Sequence, residues 1–202
     1  TMSTLTANPT LDDAALDLLF RDARTVNTFT DAEVDPAEIE AAYDLLRWGP
    51  TAMNTSPLRL VVLPRGEQRE RLVEHMTPPN RDKTLAAPLV VIAAADPAFH
   101  RRLEPLAPHR VGMVEGLEAD VDTRRAMART SGLIQVGYLI LALRSRGLQV
   151  GPMGGFDAAG VDTDLLTEQG WNSLLVINVG WEAASDGSYP RADRLPASDA
   201  VL

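Results

Sequence analysis

Gly151-Pro152-Met153-Gly154-Gly155-Phe156-Asp157 carries the most information about how this chain folds and what it binds. The segment follows a long apolar helical pattern and precedes a second helical pattern. Glycine permits unusual backbone angles and a close approach to a flat or charged ligand. A loop that exposes its N–H groups beside the start of a helix can hold an anion or hydrogen-bond a cofactor ring. Taken by itself, however, a glycine-rich segment is more often an ordinary turn.

The long helical pattern before this segment covers residues 118–146. From residue 133 to residue 143 it is apolar nearly all round, which predicts a helix through the middle of the core. Tyr138 on this helix and Trp48 elsewhere are expected to be core residues. Strands are predicted at residues 58–63, 89–95 and 174–179, with a short strand beginning at Val150, and helices are predicted at residues 11–24, 35–49 and 67–76.

These patterns indicate an α+β fold without internal repeats or linkers. We therefore predict a single domain over residues 1–202, in which residues 1–10 are flexible and residues 184–202 form a wrapping arm. Residues 96–116 show no clear period and are predicted to form one short helix and an irregular excursion.

Composition and charge exclude several classes of function. The sequence contains no cysteine, which excludes disulfides, thiolate metal sites and thiol nucleophiles, and its three histidines give no zinc pattern. A net charge of −9 argues against nonspecific binding to nucleic acid. No signal pattern and no apolar run long enough to cross a bilayer are evident. We expect a cytoplasmic protein without a metal, a nucleic-acid partner or a membrane partner.

Four other fragments carry groups suited to a phosphorylated heteroaromatic ligand. A cation and hydroxyls in residues 24–29 can hold phosphate. Small and amide-bearing residues fill the loop of residues 49–57, and residues 80–83 offer an amide and an ammonium group. Arg191 and Arg194 place two cations in the C-terminal tail. Each fragment also has an ordinary explanation, as a charged helix end, a turn or a solvated surface.

The order and chemistry of these fragments resemble the FMN-dependent nitroreductase family, and they extend over nearly the whole chain, from Arg24 to Pro196. The subgroup with the closest resemblance is the malonic semialdehyde reductase type of pyrimidine degradation. Four short sequence motifs carry this narrower resemblance: Asp22-Ala23-Arg24-Thr25, Trp48-Gly49-Pro50-Thr51, Thr84-Leu85-Ala86-Ala87-Pro88 and Gly151-Pro152-Met153.

The resemblance implies a set of FMN contacts within one subunit. Arg24, Thr25 and Arg194, together with Arg191, would hold the phosphate. Asn27 stands where relatives often have a second basic residue, so it would act through hydrogen bonds. The remaining expected contacts are Asn80 and Lys83 at the pyrimidine edge and the N1/O2 side of the flavin, and Met153, Gly154 and Gly155 in the loop whose backbone N–H faces flavin N5.

The resemblance also implies a second subunit. It predicts a nitroreductase-like fold with a central, mostly antiparallel sheet flanked by helices, in an intertwined homodimer that exchanges C-terminal arms. Both active sites would lie at the interface. The partner would then contribute Pro50, Thr51, Ala52 and Asn54 to each site.

The activity implied is hydride transfer from NADH or NADPH through FMN to a small acceptor, such as malonic semialdehyde reduced to 3-hydroxypropanoate. The alternatives are a broad nitroaromatic or quinone reductase, and an FMN-binding module without turnover. No side chain is assigned as a catalytic acid. Arg101, Arg102, His109 and Arg110 lie in the excursion that would roof the pocket, although charges in such a segment more often belong to a solvated surface loop.

Overall fold

A four-stranded sheet organises the computed structural model, which describes residues 9–183 and 187–201. Its strands lie in the order β1-β2-β4-β3, and every pairing is antiparallel. The predicted α+β class with an antiparallel sheet is confirmed. The strands are β1 (Leu58–Leu63), β2 (Leu89–Ala95), β3 (Gln149–Met153) and β4 (Asn172–Gly180).

Helices cover both faces of this sheet. The longer ones are α2 (Ala37–Leu46), α3 (Glu67–His75), α4 (Pro78–Ala86), α7 (Val121–Ser145) and α8 (Ala158–Leu165). The shorter ones are α1 (Asp13–Leu16), α5 (Leu103–Leu106), α6 (Val114–Ala119) and α9 (Ala197–Ala200).

The central strand β2 is buried on both faces, which explains its continuous apolar sequence. Val91 points into a core built with α2 and α7, whereas Val90 and Ile92 point into a second core built with α3 and α8. This alternation follows from the two-residue repeat of a strand. Each buried Val or Ile side chain contributes about 1.5–3 kcal/mol through removal of its surface from water.

The long helix α7 is shorter than predicted and less buried. Asp120 caps its N-terminus by accepting from the Thr123 N–H at 3.0 Å, so α6 and α7 are separate helices. Tyr138 is 41% exposed and Trp48 is 82% exposed, so the prediction that both are core residues is wrong. One face of α7 packs on the sheet and the other is an apolar surface.

By length and composition α7 is also apolar enough to cross a membrane, with a mean hydropathy of 1.3 over its best window. Length and composition alone are weak evidence for a membrane span, because a buried core helix passes the same test. The helix buries Arg124, Ser131 and Gln135 inside the protein, where they bond to neighbouring segments. This is the behaviour of a core helix.

Several predicted boundaries differ from those in the structure. The helix predicted at residues 11–24 divides into α1 and a π-helical turn over Asp17–Arg21. Helix α4 begins with two prolines, Pro78 and Pro79, and was not predicted. Residues 96–116 contain α5, the start of α6 and two 3₁₀ turns, Phe99–Arg102 and Pro108–Met113.

The C-terminal tail leaves the sheet beside the segment that follows the π-helical turn. The Gly187 carbonyl accepts from the N–H groups of Asn27 and Thr28 at 2.6 and 3.1 Å, and residues 190–201 are exposed. Of the predicted arm, residues 184–186 and 202 lie outside the described residues. Residues 1–8 of the predicted flexible N-terminus also lie outside the described residues.

Candidate functional site

Strand β3 brings two of the predicted fragments together. Thr25 forms a parallel bridge with Val150, and the Val26 N–H donates to the Val150 carbonyl at 3.1 Å. A Cβ on Gly151 would lie only 2.5 Å from the Val26 carbonyl oxygen. Glycine is therefore required at position 151 because another backbone passes there, and that backbone carries the predicted phosphate-binding residues.

Two of the predicted phosphate-binding arginines, Arg24 and Arg191, are far apart in the sequence but lie near each other in the folded chain. The Arg24 guanidinium donates to the Tyr189 carbonyl at 3.2 Å. Arg191 donates to the Ala23 carbonyl at 3.3 Å and also to that of Arg21. Neither guanidinium forms a salt bridge with a carboxylate in the described parts of the chain, so both retain charge for an anionic ligand.

Arg194 does not join these two arginines within one subunit. Its guanidinium donates to the carbonyls of Ala192 and Asp193 at 2.8 and 3.1 Å, both in its own tail. Its assignment to the phosphate remains a prediction.

Helix α4 places Lys83 beside the Arg24 segment. The Lys83 ammonium donates to the Asn27 amide oxygen at 3.3 Å, and the Lys83 carbonyl accepts from Asn178 at 3.1 Å. Lys83 is half-buried and is the only lysine in the sequence. Asn27 acts here as a hydrogen-bond acceptor, and its contact with FMN stays a prediction.

Asn80, one turn before Lys83, faces the glycine loop. Its amide nitrogen donates to the Gly155 carbonyl at 3.0 Å, and Thr77 donates to the same oxygen through its hydroxyl at 2.8 Å. A Cβ on Gly155 would lie 2.7 Å from the Asn80 amide nitrogen and 2.8 Å from the Thr77 hydroxyl. Thr77 was missed in the sequence, where its only signal is a threonine directly before Pro78.

The neighbours of Gly155 in the loop differ in how they face solvent. Gly154 is exposed, and a Cβ there would meet only Leu175, at 3.7 Å, so an open surface lies in front of it. Met153 is 6% exposed and its side chain packs in the core beneath the sheet. Met153 can therefore offer a ligand its backbone but not its side chain.

The loop that contains Pro50, Thr51, Ala52 and Asn54 is held elsewhere, against α7 and α5. The Ala52 N–H donates to the Ser131 hydroxyl at 3.2 Å, and the Asn54 amide donates to the Leu106 carbonyl at 2.8 Å. Within the described residues, no hydrogen bond joins this loop to Arg24, Lys83 or Gly155. One chain thus contains two groups of predicted FMN contacts at different places.

The same loop has a strained backbone. Met53 and Asn54 both have φ 54° and Ser56 has φ 41°, in the left-handed region that side chains other than glycine rarely adopt. Such conformations persist only where surrounding contacts impose them, and they are frequent at ligand-binding sites. Here Ser131 and Gln135, one turn apart on α7, impose them by accepting from the N–H groups of Ala52 and Leu58.

The excursion over residues 96–116 is fixed to α6 by a buried histidine. His100 and Arg101 both bond to the Glu118 carboxylate, Arg101 at 2.8 Å. The Arg101 hydrogen bond and then the His100 contact lower the pKa of Glu118 from 4.5 to about 2. Arg101 is therefore engaged in the fold, whereas Arg102, His109 and Arg110 are exposed.

A large cleft of about 830 Å³ lies beside β1 rather than beside β3. Its walls come from α2, β1 and α5, and include Tyr43, Leu60 and Arg102. A smaller cavity of about 160 Å³ borders Arg24. The large cleft contains none of the residues predicted to bind FMN.

Sequence comparison identifies relatives along most of the chain. A sequence model of the nitroreductase family matches residues 20–181. A candidate NADH dehydrogenase/NAD(P)H nitroreductase of Streptomyces griseus is 44% identical over 191 residues, which cover 95% of this chain and 96% of the relative. A candidate NADH dehydrogenase/NAD(P)H nitroreductase of Streptomyces coelicolor is 44% identical over 192 residues, with the same coverage of both chains.

Solved structures show the same fold at lower identity. A nitroreductase family protein of Streptococcus pneumoniae superposes with a TM-score of 0.78 at 21% identity, covering 91% of this chain and 97% of its own. A candidate nitroreductase of Exiguobacterium sibiricum, solved in complex with FMN, superposes with a TM-score of 0.79 at 17% identity over 98% and 99% of the two chains. From its sequence and its fold, this chain belongs to the nitroreductase family.

Proposed function

We propose that the protein is a flavin oxidoreductase that passes hydride from NADH or NADPH through FMN to a small acceptor. The observation that carries the proposal is that the Arg24 segment, Lys83 and Gly155 all lie beside β3. The names of the Streptomyces relatives support a nicotinamide-dependent reduction. The FMN bound to the Exiguobacterium protein supports the cofactor.

The residues at β3 fit FMN chemically. Arg24 and Arg191 carry charge without carboxylate partners in the described chain, which suits a phosphate. Lys83 offers an ammonium group for the N1/O2 side of the ring. The Asn80 amide nitrogen donates to Thr77 and to the Gly155 carbonyl, both within the protein. The Asn80 amide oxygen is therefore left to accept a hydrogen bond from the pyrimidine edge of the flavin. Bound FMN would supply reversible hydride transfer, and these residues would bind and orient it.

We further propose that the active unit is a homodimer with exchanged C-terminal arms. Half of the best apolar window of α7 is unburied in one chain, since only 44% of it is buried. Ile134 and Tyr138 on α7 lie exposed, as does Trp48 after α2, and a second copy would cover them. The partner would bring its loop of residues 50–54 to the site that Arg24 and Lys83 begin.

The proposed arm exchange also gives two unpaired surfaces a partner. Tyr189, Leu195 and Val201 in the tail are each 70% exposed or more. On β1, no described strand pairs with the outer edge. A partner's tail lying along β1 would cover both, by adding an extended segment to the sheet.

For the acceptor we propose a small aldehyde with a carboxylate, with malonic semialdehyde as the first compound to test. One support is the four short sequence motifs that carry the resemblance. The other is the pair of exposed cations Arg102 and Arg110, which flank α5, the helix to which Asn54 is hydrogen-bonded. The second candidate is a nitroaromatic or quinone reductase, which the names of the relatives favour. A cytoplasmic location fits both, because NADH and NADPH are supplied there.

Lys83 gives a direct test of the site, since its ε-amine is the only one in the sequence. An acetylating reagent is added with and without FMN, and acetylation of Lys83 is followed by mass spectrometry. We expect FMN to slow acetylation of Lys83 at least about tenfold, while the α-amine reacts equally in both samples. Equal acetylation of Lys83 with and without saturating FMN contradicts the proposed site.

Turnover is tested separately on the FMN-loaded protein. Under anaerobic conditions NADH or NADPH should bleach the flavin absorbance, and stopped-flow mixing with a panel of acceptors should restore it. A flavin spectrum that neither nucleotide bleaches identifies an FMN-binding module without turnover. Restoration by malonic semialdehyde, quinones or nitroaromatics at different rates ranks the acceptors.

A further inference from the structure

The carbonyl of Gly155 is the most heavily bonded acceptor in the candidate site. It accepts from the Thr77 N–H at 3.0 Å, the Thr77 hydroxyl at 2.8 Å and the Asn80 amide at 3.0 Å. The Asn80 amide also donates to the Thr77 hydroxyl oxygen at 3.2 Å, so the two side chains form one network. Three donors on one oxygen fix the plane of the peptide that follows Gly155.

Thr77 makes this contact in place of the usual one for its position. It is the N-cap residue of α4, where a threonine side chain normally accepts from an N–H of the first helical turn. Its side chain forms no such cap. The hydroxyl instead donates across to the glycine loop, which couples the start of α4 to that loop.

The bonding continues through two peptide units toward solvent. The peptide after Gly155 carries the Phe156 N–H, which donates to the Gly154 carbonyl at 3.2 Å. The peptide after Gly154 carries the Gly155 N–H, and in a trans peptide this N–H points away from its carbonyl. Within the described residues the Gly155 N–H has no acceptor, so it is directed outward and remains free for a ligand.

Hydrogen bonds in such a chain strengthen one another. Each donor that a carbonyl accepts polarises its peptide and makes the N–H of that peptide a better donor. The hydrogen bond from the Thr77 hydroxyl to the Gly155 carbonyl therefore strengthens the Phe156 N–H as a donor to the Gly154 carbonyl. That second bond in turn strengthens the Gly155 N–H as a donor. The segment before α4 also holds the loop by its backbone, since Met76 bridges Phe156 and the Asp157 N–H donates to the His75 carbonyl at 2.8 Å.

We propose that Thr77 is a positioning residue that orients and polarises the Gly155 N–H toward flavin N5, by a hydrogen-bond relay through the peptides of Gly155 and Gly154. The inference rests on the proposed function. In that reaction, hydride leaves the nicotinamide for N5 with both electrons of its C–H bond. A stronger donor at N5 favours the reduced ring, so the relay raises both the rate of reduction and the midpoint potential.

Thr77→Val removes the hydroxyl and retains the shape of the side chain. Removing the hydroxyl loosens the orientation of the Gly155 N–H and weakens its polarisation, and the value of one hydrogen bond, up to about tenfold in an equilibrium, is the upper bound of the effect. We expect affinity for reduced FMN to fall by up to that factor relative to oxidised FMN. This lowers the two-electron midpoint potential by up to about 30 mV. The rate constant for reduction by NADH or NADPH should fall by up to about tenfold, with the Kd for oxidised FMN changed less than about threefold.

A readout without FMN tests the relay in the protein alone. The amide proton of Gly155 should move upfield in the NMR spectrum of FMN-free Thr77→Val, because its peptide is less polarised. Thr77→Ser restores the hydroxyl and should restore the chemical shift, the potential and the rate. Thr163→Val is the control, since Thr163 is an exposed helix residue whose hydroxyl donates to the Ala159 carbonyl at 2.8 Å.

The results of these experiments distinguish a failure of the relay from a failure of the proposed function. If wild-type protein binds no FMN or is not bleached, the proposed function itself fails. If wild type behaves as proposed while Thr77→Val keeps the wild-type potential, rate and Gly155 shift, the relay is wrong. Equal losses in Thr77→Val and Thr77→Ser would show a purely structural contribution and also overturn it. Should Thr77→Val fail to fold, Thr77→Ala removes the same hydroxyl.

Discussion

Two glycines in the same short segment are required for different physical reasons. Gly151 leaves room for the Val26 backbone to pass, whereas Gly155 leaves room for the side chains of Thr77 and Asn80. Sequence reasoning predicted that this segment is important, because glycine there permits close approach. It could not identify Thr77, since nothing local to a threonine before a proline specifies a partner 78 residues away.

Gly151→Ala should disrupt the phosphate side of the site with little loss of the sheet. The new Cβ would lie 2.5 Å from the Val26 carbonyl, so the Arg24 segment must move away from β3. We expect FMN affinity to fall at least about tenfold and stability to fall by about 1–3 kcal/mol, measured by FMN titration and urea unfolding. Gly116→Ala in α6 is the control, because its Cβ would meet nothing within 4 Å. Wild-type FMN affinity in Gly151→Ala would contradict the close backbone approach.

The helices and strands show how far periodicity determines structure. It predicted all four strands and the position of α7, because long apolar repeats are strongly specified. It did not separate α6 from α7, because that break depends on Asp120 as a cap. It also did not distinguish the core-facing side of α7 from the exposed one. From residue 133 to residue 143 both sides of α7 are apolar, so this stretch contains no signal for which side meets solvent.

The excursion between β2 and α7 depends on one carboxylate, which predicts a pH dependence. Folding lowers the pKa of Glu118 from 4.5 to about 2, so its contribution to stability is complete above pH 4.5 and is lost as the pH falls toward 2. Glu118→Gln should be less stable than wild type at about pH 7, and the difference should narrow below about pH 4.5. Urea midpoints across this range measure it.

A matched control for this experiment is Glu115→Gln, on the same helix α6. Glu115 forms no ion pair within the described chain, so this variant should track wild type at every pH. If the stability difference between Glu118→Gln and wild type is the same at all pH values, the carboxylate does not hold the excursion through its charge.

At the scale of the whole molecule, one chain holds the residues predicted to bind FMN at two separate places. Arg24, Lys83 and Gly155 meet at β3, whereas the loop of residues 50–54 is fixed against α7 and α5. The resemblance in the sequence assigned this loop to a partner. Sequence periodicity could not have shown it, since an intermolecular contact leaves the same apolar pattern as an intramolecular one.

Ile134→Glu tests whether a second copy covers α7. Ile134 is 44% exposed in one chain, so a glutamate there is tolerated by the fold, but it would be buried without a partner charge in the proposed dimer. We expect dimerisation to weaken by about 3–5 kcal/mol and FMN to be lost with it, as measured by light scattering and FMN titration. Val121→Glu, at the start of α7, should leave both unchanged. A dimeric Ile134→Glu with bound FMN would place the interface elsewhere.

The open outer edge of β1 has a consequence for how the protein is produced. No described strand pairs with this edge, although Gln135 accepts from the Leu58 N–H and Arg59 donates to the Leu58 carbonyl. Its sequence Leu58-Arg59-Leu60-Val61-Val62-Leu63 favours extended structure. A newly synthesised copy therefore offers a template on which other unfolded chains can add, until a folded copy reaches it first. Yield on refolding should consequently be highest at intermediate concentrations, where native pairing is fast and misdirected strand addition is still slow.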